Sequence, residues 1–351
     1  MPEDVYQRLA EHLDKALAGA PMSPELIDIL KILHTEEEAE VALNLQIYEN
    51  RTLAQLQEAM PEKAGRLEEM LAGMARKGTV FTEQKPRRDR VYRLLPSVVG
   101  FAEAPYLDGI DTPEKRALAP LWVKYITSDF GAEMARGVPL IRVIPIAESL
   151  EDASEVLPFD ALEEKLDQAT FMAVGHCPCR QIKKYVGEGC DRPTERCMHF
   201  GSLGRYIVEN GMGRQIDKAE ALEILRSATE EGLVHVCDNV AGSLRTICNC
   251  CPCCCGFFQA KRVAGYDTLS RSNYVARVDS DECIACEICA DRCPVGAITV
   301  GDAAVVDEDL CIGCGVCTPT CGADGAIRLR VREQTQPPPD LEQFMAARIK
   351  K

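Results

Sequence analysis

Two short runs near the C-terminus hold eight of the nineteen cysteines and constrain the chain more than any other feature. The runs read Cys283-Ile-Ala-Cys286-Glu-Ile-Cys289-Ala-Asp-Arg-Cys293 and Cys311-Ile-Gly-Cys314-Gly-Val-Cys317-Thr-Pro-Thr-Cys321. Both have the spacing C-x2-C-x2-C-x3-C, which is typical of thiolate ligands to iron–sulfur clusters. Two-residue gaps let a tight turn bring three successive sulfurs to one face of a cluster. The alternative is a pair of zinc knuckles, although zinc sites usually have C-x2-C pairs set further apart.

The two runs are the halves of an internal repeat. The residues before the first run, Val278-Asp279-Ser-Asp281, correspond to Val306-Asp307-Glu-Asp309 before the second. Over about residues 273–331 the chain therefore resembles the bacterial two-[4Fe-4S] ferredoxin family. Two details depart from that pattern: Gly322 replaces the proline expected after the last cysteine, and the second half has one extra residue before its Ala-Ile.

The resemblance implies that each run lends its fourth cysteine to the other cluster. The first [4Fe-4S] cluster would be bound by Cys283, Cys286, Cys289 and Cys321. The second would be bound by Cys311, Cys314, Cys317 and Cys293. No ligand of this pattern is missing from the sequence.

The remaining composition indicates a reducing environment. The N-terminus lacks the basic and apolar regions of a secretory signal, and no apolar run approaches the length of a membrane span. Many cysteines in such a chain predict metal sites and not disulfides, so we expect an anaerobic cytoplasm. The net charge of −15 disfavours nucleic acid or an anionic membrane as a general partner. It suits redox protein partners of the ferredoxin, flavoprotein or reductase type.

The first 96 residues predict a helical domain that ends in a two-stranded ribbon. Residues 2–18 have helical periodicity, and Ser23, Thr35 and Thr52 have the positions of helix caps. Helices followed by strands resemble a winged helix-turn-helix domain over residues 23–96. In that resemblance the helix 62–77 would be the recognition helix, and the basic turn 84–90 would be the wing.

Charge argues against DNA binding by this domain. Residues 22–95 contain 11 basic and 13 acidic residues, whereas a DNA-binding face must be basic to displace counterions. Only the wing, with Arg87, Arg88 and Arg90, is clearly basic. A winged helix that is reused as a docking module is the favoured interpretation, and DNA remains the alternative partner.

Residues 97–158 are expected to be a connecting region, in which Trp122 lies in the core and residues 140–144 form a buried strand. A second field of cysteines follows in residues 159–272, which we expect to form a Cys-rich α/β domain. Crowded thiols without ligands would be liable to oxidation, so this field predicts metal binding. The candidate ligands are Cys177, Cys179, Cys190, Cys197, Cys248, Cys250, Cys251, Cys253, Cys254 and Cys255.

These ten thiols could bind one or two additional iron–sulfur clusters. One division places Cys177, Cys179, Cys190 and Cys197 in one site and draws the other from residues 248–255, but sites shared between the two groups are equally compatible with the sequence. Zinc at one of these sites is an alternative. His176 and His199 are either further ligands or locally hydrogen-bonded histidines. Cys237 stands alone and is expected to be a buried apolar residue.

Three motifs in this field extend the resemblance. Cys177-Pro-Cys179-Arg180, Gly211-Met-Gly-Arg214 and the segment 247–255, together with the flanking domains, resemble multi-domain iron–sulfur proteins of anaerobic bacteria. That resemblance implies no defined reaction. Basic side chains near the cysteines could hydrogen-bond cluster sulfurs and raise reduction potentials. The candidates are Arg180, Lys183, Lys184 and Arg214.

Residues 332–351 are expected to form a Pro-rich linker and a short helix, with Leu341, Phe344, Met345 and Ile349 on one side. The sequence as a whole thus predicts an α+β protein with a winged-helix-like, a Cys-rich and a ferredoxin-like domain. The principal hypothesis is an iron–sulfur protein that transfers single low-potential electrons in anaerobic metabolism. An electron carrier or an oxidoreductase subunit is favoured over a stand-alone enzyme. The alternatives are a redox-sensing winged-helix regulator and an oxidoreductase with a substrate-accessible cluster in the middle domain.

Overall fold

The computed structural model describes residues 4–151, 162–242, 244–323, 325–333 and 335–349. Helices alternate with mainly antiparallel sheets, which confirms the α+β class. The front of the chain contains five helices and a three-stranded sheet of order β1–β3–β2. Their bounds are α1 Val5–Asp14, α2 Pro24–Leu33, α3 Glu36–Leu43, β1 Arg51–Thr52, α4 Leu53–Ala59, α5 Leu67–Lys77, β2 Val80–Glu83 and β3 Val91–Leu94.

The predicted helix caps are present. The Ser23 hydroxyl accepts a hydrogen bond from the Leu26 amide, and Thr35 forms a reciprocal capping box with Glu38. Thr52 forms a second box with Gln55 at the start of α4. These local bonds satisfy amides that helix ends leave without partners, and they explain why sequence spacing located the helices.

Two predicted helix ranges are wrong at their ends. The helix expected over residues 62–77 begins only at Leu67, because residues 61–66 form tight turns in which the Arg66 amide bonds the Lys63 carbonyl oxygen. The helix expected over residues 2–18 ends at Asp14, whose carboxylate instead accepts a hydrogen bond from the Ala20 amide. Apolar periodicity continues past both ends and could not reveal these turns.

A seven-stranded sheet of order β10–β4–β8–β9–β6–β5–β7 forms the centre of the molecule. Every pairing is antiparallel except that of β10 with β4. The region was expected to be an α/β domain. It does contain both helices and strands, but its sheet is almost entirely antiparallel. The strands are β4 Ile141–Val143, β5 Met172–His176, β6 Glu195–Phe200, β7 Arg214–Ile216, β8 Val234–Asp238, β9 Thr246–Cys250 and β10 Leu269–Ser270.

Helices cover this sheet, and part of the expected connecting region belongs to it. Strand β4 lies between β8 and β10, so residues 97–158 are not only a connection. Its apolar side chains are buried there, and Trp122 is buried in a core with Phe101 and Phe130, as predicted. The helices are α6 Pro113–Ile126, α7 Asp129–Met134, α8 Leu162–Gln168, α9 Pro178–Tyr185, α10 Gly201–Glu209, α11 Lys218–Glu230 and α12 Gly256–Ala264, with short 3-10 turns at Ala104–Tyr106 and Ala147–Ser149.

The C-terminal repeat forms two small antiparallel sheets. One of these sheets pairs a strand at the start of the first half of the repeat with a strand at the end of the second half, and Val278 lies opposite Ile327 in it. Its elements are β11 Tyr274–Val278, α13 Ile288–Arg292, β12 Ile298–Val300, β13 Ala304–Val306 and β14 Ile327–Val331.

The repeat packs directly on the seven-stranded sheet. The Ile146 amide, just beyond β4, donates to the Cys314 carbonyl oxygen at 3.1 Å, and the Ser149 hydroxyl donates to the Gly315 carbonyl oxygen. From the other side, Arg292 donates to the carbonyl oxygens of Thr229 and Glu230 at the C-terminus of α11. A guanidinium at a helix C-terminus satisfies free carbonyls and complements the helix dipole, so these contacts fix the repeat on the sheet.

The last helix, α14 Leu341–Ile349, docks on this same chain. Phe344 is buried, and Arg348 is only 1% exposed. The Arg348 guanidinium donates to the carbonyl oxygens of Leu17, Glu133, Met134, Arg136 and Val138. Among the described residues, none of the helices is both long and apolar enough to cross a membrane.

Candidate metal centres

The first ligand set, which we call site 1, lines a single cavity in the C-terminal repeat. Site 1 consists of Cys283, Cys286, Cys289 and Cys321. The Ala304 amide donates to the Cys283 sulfur at 3.4 Å. Cys286 is exposed, and backbone amides of Ile288 and Gly322 lower the pKa of its thiol. Four thiols around one space, with amides directed at their sulfurs, suit a [4Fe-4S] cluster.

The second set, site 2, lines a separate and more buried cavity. Site 2 consists of Cys293, Cys311, Cys314 and Cys317. The last three are buried, and burial raises the pKa of the Cys314 thiol to about 12. The Ala297 amide donates to the Cys293 sulfur at 3.2 Å. The structure thus gathers the eight cysteines of the repeat into the two groups that the resemblance implies.

In the middle of the chain, one cysteine from a loop meets three from the turn after β9. We call this group site 3: Cys190, Cys251, Cys253 and Cys254. Its four sulfur atoms all lie within 4.8 Å of one another, a separation at which they could bind one metal ion or cluster. The group draws on both fields of cysteines, which is one of the arrangements that the sequence left open.

Two arginines contact site 3. Arg180 Nη1 lies 3.7 Å from the Cys251 sulfur, and Arg192 Nη1 lies 3.8 Å from the Cys253 sulfur. Interaction with the Cys254 thiol, followed by the charge of Arg180, lowers the pKa of the Cys251 thiol to about 4 despite its burial. A thiol that is ionised near neutral pH is prepared to bind metal, because the thiolate is the ligand.

Six of the seven other cysteines of this region, all except Cys237, form a continuous group, site 4. In order of contact they are Cys177, Cys179, Cys255, Cys250, Cys248 and Cys197, each interacting with the next. Interaction with the thiols of Cys179 and Cys250 lowers the pKa of the Cys255 thiol to about 5. Six thiols exceed the four of a cubane cluster, so site 4 has ligands to spare.

Two helix starts and two strands explain why these six thiols converge. Cys177 and Cys255 are the residues immediately before α9 and α12, and the Gly256 amide donates to the Cys179 sulfur at 3.5 Å. Helix N-termini favour negative charge, and Cys255 at the start of α12 is the thiol with a lowered pKa, whereas the neighbouring Cys179 thiol and burial raise the pKa of the Cys177 thiol at the start of α9. Cys248 and Cys250 are two residues apart on β9 and so point to the same face of the sheet.

Several predicted neighbours of the cysteines have other roles. Arg214 pairs with Glu195 and Glu220, and Lys183 pairs with Glu188. Lys184 is exposed. Of the four basic residues proposed from the sequence, only Arg180 contacts a cysteine sulfur among the described residues. Arg192 also contacts one, and it was not identified from the sequence. Its position two residues after Cys190 was the signal that could have identified it.

The histidines divide into two kinds. His176 bonds the Thr194 hydroxyl through Nδ1 at 2.7 Å and is a locally satisfied residue. His199 is 1% exposed, and neither of its ring nitrogens has a hydrogen-bond partner among the described residues. It lies close enough to Cys248 for the two charges to interact. Cys237 is buried among apolar side chains, as predicted, and lies outside all four sites.

Comparison with known proteins identifies a single segment. Residues 276–299 match the family model of the 4Fe-4S binding domain. The match covers the first run of the repeat, from Cys283 to Cys293. Searches of curated proteins and of solved structures give no match. The chain therefore contains a 4Fe-4S binding segment, and its iron–sulfur character is supported by both the match and the grouped cysteines.

Proposed function

We propose that this protein transfers single low-potential electrons between redox partners, as a component of an oxidoreductase system in anaerobic metabolism. The observation that carries the proposal is one hydrophobic core in which Cys314 of site 2 packs together with Cys250 and Cys255 of site 4. When bound, [4Fe-4S] clusters exchange single electrons at potentials set by burial, charge and hydrogen bonds to sulfur. We propose two such clusters in sites 1 and 2 and two further iron–sulfur clusters in sites 3 and 4.

The surface around site 1 supports its role as the place where a partner docks. Ile284, which follows Cys283 and lines the same cavity as Cys286, is 63% exposed, and Ile288 is 39% exposed. The exposed acidic residues Asp281 and Glu282 lie beside them. An apolar centre with an acidic rim favours a redox protein that presents basic residues, since complementary charge speeds association.

The buried contacts of site 2 support a route from this surface into the middle of the protein. The hydrogen bond from Ile146 to the Cys314 carbonyl oxygen ties site 2 to the strand beside β8. Arg292, which lies between the site ligands Cys289 and Cys293 in sequence, interacts electrostatically with Cys317 and with Arg192 beside site 3. Apolar packing of this kind keeps the redox sites close to one another.

For the front of the chain we propose a winged-helix-like module that docks on a protein partner and does not bind DNA. Three of the four basic residues on and just before α5 are engaged by acidic residues of α3. Lys63 pairs with Glu40, Arg66 with Glu37, and Lys77 with Glu38. Such pairs neutralise the face that would have to displace counterions from DNA.

A potentiometric titration of the anaerobically purified protein, followed by EPR, tests the electron-transfer proposal. We expect several one-electron signals that broaden one another when fully reduced, because sites 2 and 4 share a core. The triple variant Cys248→Ser/Cys250→Ser/Cys255→Ser, which leaves only three thiols in site 4, should lose one signal and sharpen that of site 2. Cys237→Ser, a buried cysteine outside the four sites, is the matched control. Signals that belong only to the repeat and never broaden would contradict the proposal.

A further inference from the structure

We propose that a cavity between the front helices, the seven-stranded sheet and α14 binds a small organic monocarboxylate. The cavity has a volume of about 260 Å³. Its walls come from three parts of the chain: Ile47 and Leu95 from the front, Leu203 from α10, and Phe344 from the last helix. The proposal goes beyond electron transfer, and it does not depend on whether the four cysteine sites are filled.

Two arginines with incomplete pairing supply the charge that would recognise a carboxylate. Arg93 lines the cavity and stacks on the Phe81 ring at 3.9 Å, and it has no hydrogen bond or ion pair to any described residue. Arg245 lies 3.6 Å from the Asp238 carboxylate, a long contact, and its side chain is 54% exposed. Asp238 lines the cavity beside the two guanidinium groups, and Glu83, whose charge also acts on Arg93, does not line it and is paired with Lys85, so one positive charge remains at the cavity. Guanidinium groups bind carboxylates through paired N–H donors.

Thr246 on the cavity wall and its neighbour His199 have polar groups that lack partners among the described residues. Thr246 lines the cavity and lies opposite His199 across the β6–β9 pair. Both residues are more than nine-tenths buried. Neither the Thr246 hydroxyl nor the two ring nitrogens of His199 has a hydrogen-bond partner among the described residues. Because buried polar groups are normally hydrogen-bonded, these atoms point to a bound molecule with a polar group of its own.

The position of Thr246 relates the cavity to site 4. Thr246 and Cys248 are two residues apart on β9, so their side chains lie on the same face of the sheet. Cys248 also belongs to the same apolar cluster as Leu95 and Leu203, which line the cavity. A ligand held at the arginines would therefore extend along an apolar wall toward site 4.

Size restricts the class of ligand. Sites for drug-sized molecules are usually about 300–1,000 Å³, so a cavity of about 260 Å³ suits a smaller organic acid and excludes a dinucleotide. The apolar walls disfavour a free inorganic anion, which would lose its hydration and gain contacts only at the arginines. We therefore infer an apolar body with one carboxylate.

Matched acids and amides test this inference. Wild-type protein would be titrated anaerobically by calorimetry with benzoate, phenylacetate and hexanoate, and with benzamide, phenylacetamide and hexanamide. At least one acid should bind while its amide, of the same shape without the charge, binds about 10- to 100-fold more weakly, which is the range expected for hydrogen bonds to a charged group. Equal binding of acid and amide would overturn the inference, as would the absence of binding by all three acids at about 10 mM.

Variants then test the location of the site. Arg93→Gln should weaken binding of the tightest acid about 10-fold or more, and Leu203→Phe should weaken it by filling the cavity. Arg205→Gln changes an arginine on the same helix as Leu203 that stacks on Phe171 outside the cavity, and it should bind the acid like wild type. Unchanged binding in both Arg93→Gln and Leu203→Phe would show that the acid binds elsewhere and would overturn the proposal.

Discussion

The guanidinium of Arg180 lies 3.7 Å from the sulfur of Cys251, and the same nitrogen donates to the Asn249 carbonyl oxygen at 3.1 Å. Arg180 is only 1% exposed, and it also interacts electrostatically with Cys177 and Cys250. This one cation therefore lies between site 3 and site 4. A buried positive charge next to a cluster stabilises the reduced, more negative form.

Replacement of Arg180 by methionine should lower the reduction potential at site 3. We expect a decrease of about 60–130 mV, which corresponds to the ~1.5–3 kcal/mol typical of a hydrogen bond to a charged group. Arg180→Lys keeps the positive charge, so its reduction potential should decrease by less than that of Arg180→Met. The exposed Lys184 is on the same helix, so Lys184→Met is the control. An EPR-monitored titration in which Arg180→Met keeps the wild-type potentials would refute the role given to Arg180.

The Arg348 side chain predicts that the last helix stabilises the front of the protein. Its guanidinium bonds five backbone carbonyl oxygens between Leu17 and Val138, and Arg348→Met would leave them buried without a donor. We expect a loss of about 2–4 kcal/mol of unfolding free energy, measured by denaturant titration of Trp122 fluorescence. Arg226→Met, at an exposed arginine with only surface ion pairs, should change it by less than about 1 kcal/mol. Equal effects of the two substitutions on the unfolding free energy would contradict the stabilising role of Arg348.

Because His34 is buried, we expect the protein to lose stability in mild acid. The residue is 3% exposed, neither of its ring nitrogens has a described partner, and burial lowers the pKa of His34 from 6.5 to about 4. Below pH 6.5 the unfolded chain binds a proton that the folded protein refuses, so the stability is complete above pH 6.5 and is lost as the pH falls toward 4. The linkage amounts to about 2 kcal/mol between pH 7.5 and 5.

His34→Leu should remove that component of the pH dependence. The measurement is the unfolding free energy of the two proteins at both pH values, again from Trp122. His12 makes a hydrogen bond to the Leu45 carbonyl oxygen and lies in the same domain, so His12→Gln serves as the control. A slope that is as steep in His34→Leu as in the wild type would mean that some other group titrates.

The ion pairs between α3 and the residues before and within α5 predict weak DNA binding. We expect no retention of random DNA fragments at about 150 mM salt, where counterion release no longer compensates for an acidic protein. The triple variant Glu37→Gln/Glu38→Gln/Glu40→Gln would free Arg66, Lys77 and Lys63 and should bind more tightly at low salt. Tight, sequence-dependent binding by the wild type, lost on substitution of Arg87, Arg88 and Arg90, would instead support the regulator alternative.

Local features of the protein were predictable because local spacing causes them. The two-residue gaps from Cys283 to Cys289 place thiols on one turn, and Thr35 with Glu38 closes a capping box within four residues. The resemblance of the repeat to a known family supplied the exchange of Cys293 and Cys321 between the two groups.

The division of the middle cysteines was not predictable, because it depends on contacts between distant segments. Cys190 and Cys251 are 61 residues apart, and they meet only because β9 ends beside the loop that follows α9. Neighbours in sequence also separate: Cys250 belongs to site 4 and Cys251 to site 3. Alternation of side chains at the end of a strand sends consecutive residues in opposite directions, and a pattern of cysteines alone does not reveal the strand's register.

The central claim is that sites 1 to 4, which together contain every cysteine except Cys237, hold iron–sulfur clusters. The direct measurement is iron and acid-labile sulfide per chain in anaerobically purified wild type, Cys251→Ser, Cys248→Ser/Cys250→Ser/Cys255→Ser and Cys237→Ser. The account predicts about sixteen irons in the wild type and in Cys237→Ser, and about four fewer in each of the other two variants. About eight irons in all four proteins, or zinc in place of iron, would contradict it.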